Sequence, residues 1–154
     1  MIKKILFIIL VICSIIACSQ KKESKEILFV CTHGAARSPI AAAYFNKLAK
    51  EKDLNYHAVF RGTEPDQVLT EGTIDGLTKD GFEINNWKPV GVSAQDIEKA
   101  HKVITFDCTI PSEKKLNLKE EWNGTPSISK DYDVARNAIK KKVEQLVETF
   151  KKEK

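Results

Sequence analysis

The segment from Ile27 to Ala49 constrains this chain more than any other. Ile27-Leu28-Phe29-Val30-Cys31 runs without a polar break, the pattern of a short strand buried on both faces. A turn of mostly small residues follows, Thr32-His33-Gly34-Ala35-Ala36-Arg37. Ser38-Pro39 then opens an Ala-rich stretch that runs to Ala49, and serine followed by proline marks a helix start. A strand with two apolar faces needs a cover on each side of its sheet, and a strand that feeds a helix returns to the sheet as a parallel neighbour. An open α/β sheet is expected.

Later segments keep that alternation. Tyr56 to Arg61 reads as a second strand, and Thr70 to Lys79 as a helix closed by Asp80-Gly81. Val90 to Val92 is too short to assign, while Ser93 to Glu98 has the form of a serine-capped helix. Lys102 to Asp107 is a third buried strand. From Tyr132 onward Ala135, Ile139, Val143, Leu146, Val147 and Phe150 recur at steps of three and four, one face of a long helix. The pattern predicts one three-layer α/β/α domain over residues 27–154, built around a parallel sheet and without internal repeats.

The residues ahead of it have another character. Lys3 and Lys4 precede an apolar run, Ile5 to Ala17, too short for a membrane-spanning helix, which needs roughly 20 residues. The run reads as a secretory signal, and its end, Ile15-Ile16-Ala17-Cys18, resembles a bacterial lipoprotein signal. That resemblance implies a signal peptide at 1–17, lipidation of Cys18, a polar tether at 18–26 and an exported protein lipid-anchored to a bacterial membrane. Loss of Lys3 and Lys4 lowers the net charge from +4 to +2, and the remaining charges are interspersed, so no nucleic-acid partner is expected. Of the four cysteines, Cys13 leaves with the signal and Cys18 is blocked, leaving Cys31 and Cys108.

The loop from Cys31 to Ser38 carries the chemistry. A tight loop ahead of a helix N-terminus turns successive backbone N–H groups inward, a nest for a tetrahedral oxyanion that the helix dipole also favours. Thr32, His33, Gly34, Ala35 and Ala36 would line it. Arg37 adds a charge-assisted clamp on two anion oxygens. The same field favours the thiolate of Cys31, the nucleophilic form, and Ser38 is placed to donate to its sulfur. A buried structural cysteine beside a surface arginine would leave the small-residue loop unexplained.

Ile27 to Ala49 resembles the low-molecular-weight protein tyrosine phosphatases and the arsenate reductases that share their fold. Arg61-Gly62-Thr63-Glu64-Pro65, Gly81-Phe82, Lys88-Pro89 and Val103 to Asp107 extend the likeness over most of Ile27 to Phe150. The resemblance implies a four-stranded parallel sheet flanked by helices, with the anion site at the carboxyl ends of the strands. It also implies a cysteine-dependent phosphatase that hydrolyses phosphomonoesters through a phosphocysteine on Cys31. No cofactor is implied.

Three departures from the family pattern stand out. Gly34 replaces the usual asparagine, Ala36 replaces a second loop cysteine, and Thr125-Pro126 stands where an Asp-Pro supplies the general acid. Asp131 and Asp133 are the candidate replacements, against a structural role for both at the start of the last helix. Cys108 matches the place of a second thiol in thioredoxin-coupled arsenate reductases, although their third cysteine is missing. Thr32-His33 and Thr63-Glu64-Pro65 look more like that branch.

The alternative readings are therefore arsenate reduction by Cys31 with Cys108 as resolving thiol, served by a thioredoxin-like reductant, and a lipoprotein that binds an oxyanion without turnover. No pair among His33, His57 and His101 has metal-ligand spacing with a carboxylate or cysteine, so no metal is expected. Trp87, Trp122 and Tyr132 are candidates to wall a pocket for an aromatic phosphoester.

Overall fold

The computed structural model describes residues 23–110 and 119–153. The signal at 1–17, the lipidation site Cys18 and the tether as far as Lys22 lie outside the described residues. Four strands form one sheet: β1 (Lys25–Cys31), β2 (Tyr56–Gly62), β3 (Lys102–Phe106) and β4 (Lys119–Glu121), in the order β2-β1-β3-β4. All neighbours are parallel. The helices are α1 (Arg37–Glu51), α2 (Glu71–Lys79), α3 (Ala94–Lys99) and α4 (Tyr132–Lys152).

Strand β1 sits at the centre because it is apolar on both faces. Ile27, Phe29 and Cys31 point into a core shared with Ile40 and Phe45 of α1 and Ile139 and Val143 of α4. Leu28 and Val30 point the other way, against Ile97 of α3 and Val103. Ile27, Leu28, Phe29 and Val30 are wholly buried, worth about 1.5–3 kcal/mol each in apolar transfer. Three layers follow from that two-sided strand.

Several boundaries differ from the sequence reading. Strand β1 begins at Lys25, two residues inside the expected tether, because Lys25 N–H donates to Asn55 O and Glu26 O accepts from His101 N–H. Helix α1 starts at Arg37, ahead of Ser38, whose hydroxyl is used elsewhere. Strand β4 carries no apolar signal: Lys119-Glu120-Glu121 forms a strand because β3 offers a free edge. The ion pair Lys102–Glu120 (2.8 Å) and the bond from Trp122 N–H to Thr105 O (2.8 Å) hold it there, and Lys119 pairs with Glu121 along the strand (2.7 Å).

The outer edge of β2 is closed by one side chain. Asn46 of α1 accepts from Ala58 N–H (2.7 Å) and donates to Ala58 O (3.0 Å), taking the part of a neighbouring strand. Beyond it, Gly62 pairs with Gly91, which gives Val90 to Val92 its place.

Asp80 ties the helices of one face together. Its carboxylate accepts from Tyr44 OH of α1 (2.8 Å) and from Tyr132 OH (2.7 Å) and Arg136 (2.8 Å) of α4. Burial opposes ionisation of Asp80, but the two hydroxyls and the guanidinium outweigh it and hold the carboxyl below its usual range. Burial raises both tyrosines, and the bond to Asp80 adds to the shift at Tyr132.

Candidate active site

The loop after β1 is shaped by a strap, Thr63 to Thr70, that follows β2. Carbonyls of Cys31, Thr32, His33 and Ala35 accept from Thr63 (3.2 Å), Glu64 (2.8 Å), Asp66 (3.0 Å) and Thr70 (3.1 Å) N–H groups. In a trans peptide the carbonyl of one residue and the N–H of the next point in opposite directions. The N–H groups of Thr32, His33, Gly34 and Ala36 are therefore turned away from the strap, the arrangement of an anion nest. Sequence reasoning found the loop and missed this strap, whose only signal was Thr63-Glu64-Pro65.

Gly34 and Gly62 make that packing possible. Gly34 has φ +62°, and a Cβ on it would stand 2.9 Å from Gly62 N. A Cβ on Gly62 would stand 2.8 Å from Gly34 N. The backbone of β2 thus occupies the space that an asparagine side chain at position 34 would need.

Cys31 lies at the carboxyl end of β1, only 3% exposed, with its sulfur 3.1 Å from the hydroxyl of fully buried Ser38. The single Ser38 hydroxyl proton is donated to Arg61 O at 3.2 Å, so Ser38 Oγ accepts from the Cys31 thiol. A thiolate can only accept, so in that state Ser38 would donate to sulfur. Arg37, the first residue of α1, pairs through Nη1 with Asp107 Oδ2, and its guanidinium lies 5.9 Å from the centre of the Phe106 ring. Asp107 itself accepts from Gly124 N–H at 2.9 Å through Oδ1, and its N–H donates to Asn123 Oδ1 at 3.2 Å. Its backbone is left-handed, φ +46°. Asp107 was read only as a strand end; a carboxylate closing an apolar strand at the same sheet end as the loop was the available signal.

The structure brings together Cys31, Thr32 to Ala36, Arg37 and Ser38. His33 faces outward, its ring 3.3 Å from Asp66 Oδ1. Thr125 is buried and its hydroxyl donates to Trp122 O at 2.8 Å. Asp131 caps α4, accepting from Val134 N–H at 3.0 Å, and Asp133 pairs with Arg136. Cys108 packs with Val30 on the sheet face away from Cys31 and donates to Val30 O at 3.5 Å. Burial raises its thiol above the usual range, and the charge of Cys31 adds to that rise.

None of the three aromatic candidates lines the loop. Trp122 is buried against Phe29 and Phe106, Trp87 packs on Phe60, and Tyr132 is spent on Asp80. Among the described residues no group of three or more His, Cys, Asp or Glu side chains is placed to hold a metal ion.

The sequence matches the family described as low molecular weight phosphotyrosine protein phosphatase over residues 26–123. The chain belongs to this family. Among solved structures it is similar to YfkJ from Bacillus subtilis, with a TM-score of 0.77 at 24% identity, covering 87% of this chain and 99% of that one. It is also similar to the thioredoxin-dependent arsenate reductase of Corynebacterium glutamicum, with a TM-score of 0.72 at 20% identity, covering 87% of this chain and 65% of that one. A curated relative, the "Putative arsenate reductase" of Halobacterium salinarum, is 26% identical over 83 residues, 53% of this chain. The match spans 58% of that relative's length. The four-stranded parallel sheet with flanking helices is the fold of this phosphatase family.

Proposed function

We propose that the protein is a cysteine-dependent phosphatase acting on phosphomonoesters. The observation that carries this reading is the Cys31–Ser38 pair at 3.1 Å inside a loop whose carbonyls are drawn outward by the strap. Cys31 thiolate attacks phosphorus, the bond to the leaving oxygen breaks and that oxygen takes a proton. Water then cleaves the phosphorus–sulfur bond, releasing phosphate and the thiol. Loop amides and Arg37 hold the oxygens of the transferring group. The leaving oxygen's proton would come from Asp131 or Asp133, each of which must first exchange its present partner, Val134 N–H or Arg136. Cys31→Ser is expected to abolish release of phosphate from an aryl phosphate; an unchanged rate overturns the reading.

Cys108 supports a second reading, arsenate reduction. Cys31 would displace an oxygen of arsenate, Cys108 would attack the Cys31 sulfur, and arsenite would leave with the electron pair as a Cys31–Cys108 disulfide forms. A thioredoxin-like reductant would reopen that disulfide. The Cys108 thiol must first leave Val30 O and come round from the sheet face away from Cys31. Cys108→Ala should block thiol-dependent arsenite formation and spare aryl-phosphate hydrolysis; equal arsenite formation removes Cys108 from the chemistry. Tight phosphate binding without either activity would favour an oxyanion-binding protein.

We also propose export and lipid anchoring through Cys18. Cys18→Ala should abolish incorporation of labelled palmitate, and retained label would refute the anchor. Among the described residues no helix is long and apolar enough to cross a membrane.

A further inference from the structure

A bidentate arginine clamp works only if the guanidinium plane is held at the right angle, and an arginine side chain has much rotamer freedom to lose. Arg37 is engaged at Nη1 by Asp107, which leaves its Nε–Nη2 edge for two anion oxygens. Asp107 is poorly free to follow a moving partner. Its second carboxylate oxygen is held by Gly124 N–H, its own N–H is held by Asn123, and its backbone sits in the left-handed region. For a residue other than glycine that backbone is strained, and such outliers persist where the surroundings over-determine them. Phe106, the preceding residue, lies under the same guanidinium. The end of β3 and the turn at Gly124 together form a rigid mount for Arg37.

We propose that Asp107 is a positioning residue that aims Arg37 at the transferring oxyanion, an inference resting on the reading of the Cys31 loop as an oxyanion site. A carboxylate close to that site repels a bound dianion, so its presence weakens simple binding while it fixes the geometry that the transition state needs. The two effects have opposite signs and can be separated. Asp107→Asn keeps an acceptor for Gly124 N–H and removes the charge that grips Arg37.

The test uses the full chain. Turnover of an aryl phosphate is measured alongside calorimetric binding of inorganic phosphate and of vanadate, which adopts the trigonal geometry of phosphoryl transfer. For Asp107→Asn, kcat is expected to fall about 10- to 100-fold and vanadate to bind at least about 10-fold more weakly, while phosphate affinity stays within about 3-fold or tightens. Asp107→Glu, which restores the charge, should recover part of kcat. Unchanged kcat and vanadate affinity in Asp107→Asn would overturn the proposal alone. So would a rise in kcat with tighter binding of both anions, since Asp107 would then be competing with substrate for Arg37. Wild-type protein that binds neither anion removes the site itself and this proposal with it.

Discussion

Two segments meet at the carboxyl end of the sheet, and they have been treated differently. From Cys31 to Ser38 backbone and side chains are arranged toward a common centre: carbonyls are drawn off by the strap, and Ser38 is turned to the sulfur. Between Trp122 and Asp133 the three candidates for proton delivery are turned on near neighbours: Thr125 on Trp122 O, Asp131 on Val134 N–H and Asp133 on Arg136. On the proposed reading, the part that would hold an oxyanion is in place, while the side chains that would deliver a proton are engaged in local structure. Binding and proton transfer, as proposed, would be separable here because they would come from segments far apart in sequence.

The largest test of that contrast lies in the loop. Gly62→Ala would drive a Cβ into the backbone at Gly34, and a displacement of several tenths of an ångström at a nucleophile's cradle should cost about 100-fold in turnover. Phosphate calorimetry and far-UV dichroism would separate this from unfolding; full activity would show that the loop needs no such fit.

Thr125→Asp places a carboxylate at the family's acid position, but at a site 7% exposed where the hydroxyl donates to a carbonyl. A carboxylate cannot donate there, so a loss of about 2–4 kcal/mol in urea unfolding is expected without faster turnover. A stable, faster variant would show that only the acid itself was missing.

Asp80 offers a test remote from both segments. Its folded pKa lies below the ordinary aspartate value, so the stability it supplies is present above that ordinary value and is lost as pH falls through the folded one. Asp80→Asn should remove that part of the acid dependence and lower stability by about 1–3 kcal/mol; an acid-unfolding curve identical to wild type would refute it.

The smallest effect is expected at the helix start. Asp131→Ala should cost about 1 kcal/mol as a lost cap. A fall in kcat beyond about 10-fold, with the pH profile losing its acidic donor, would instead identify Asp131 as the proton source.

Much of this was legible because it is written in short-range pattern. The apolar run before Cys31, the small-residue loop and the face of α4 each follow from adjacent residues. Strand β4 was not legible, since Lys119-Glu120-Glu121 has no apolar or alternating signal and exists through the edge of β3. Asp107 was hidden for a similar reason: its partners lie 70 residues before it and 16 and 17 after it. Ser38 was seen twice over, as a helix start and as a partner of the sulfur, and only the second describes its hydroxyl.

The contact between Gly34 and Gly62 restricts more than geometry. Since each glycine occupies the room the other's side chain would take, neither can be exchanged first without moving the backbone beneath it. Because the obstructing atoms are backbone, a change at one position opens no room at the other, and both are held to glycine by the closeness of the two chain segments.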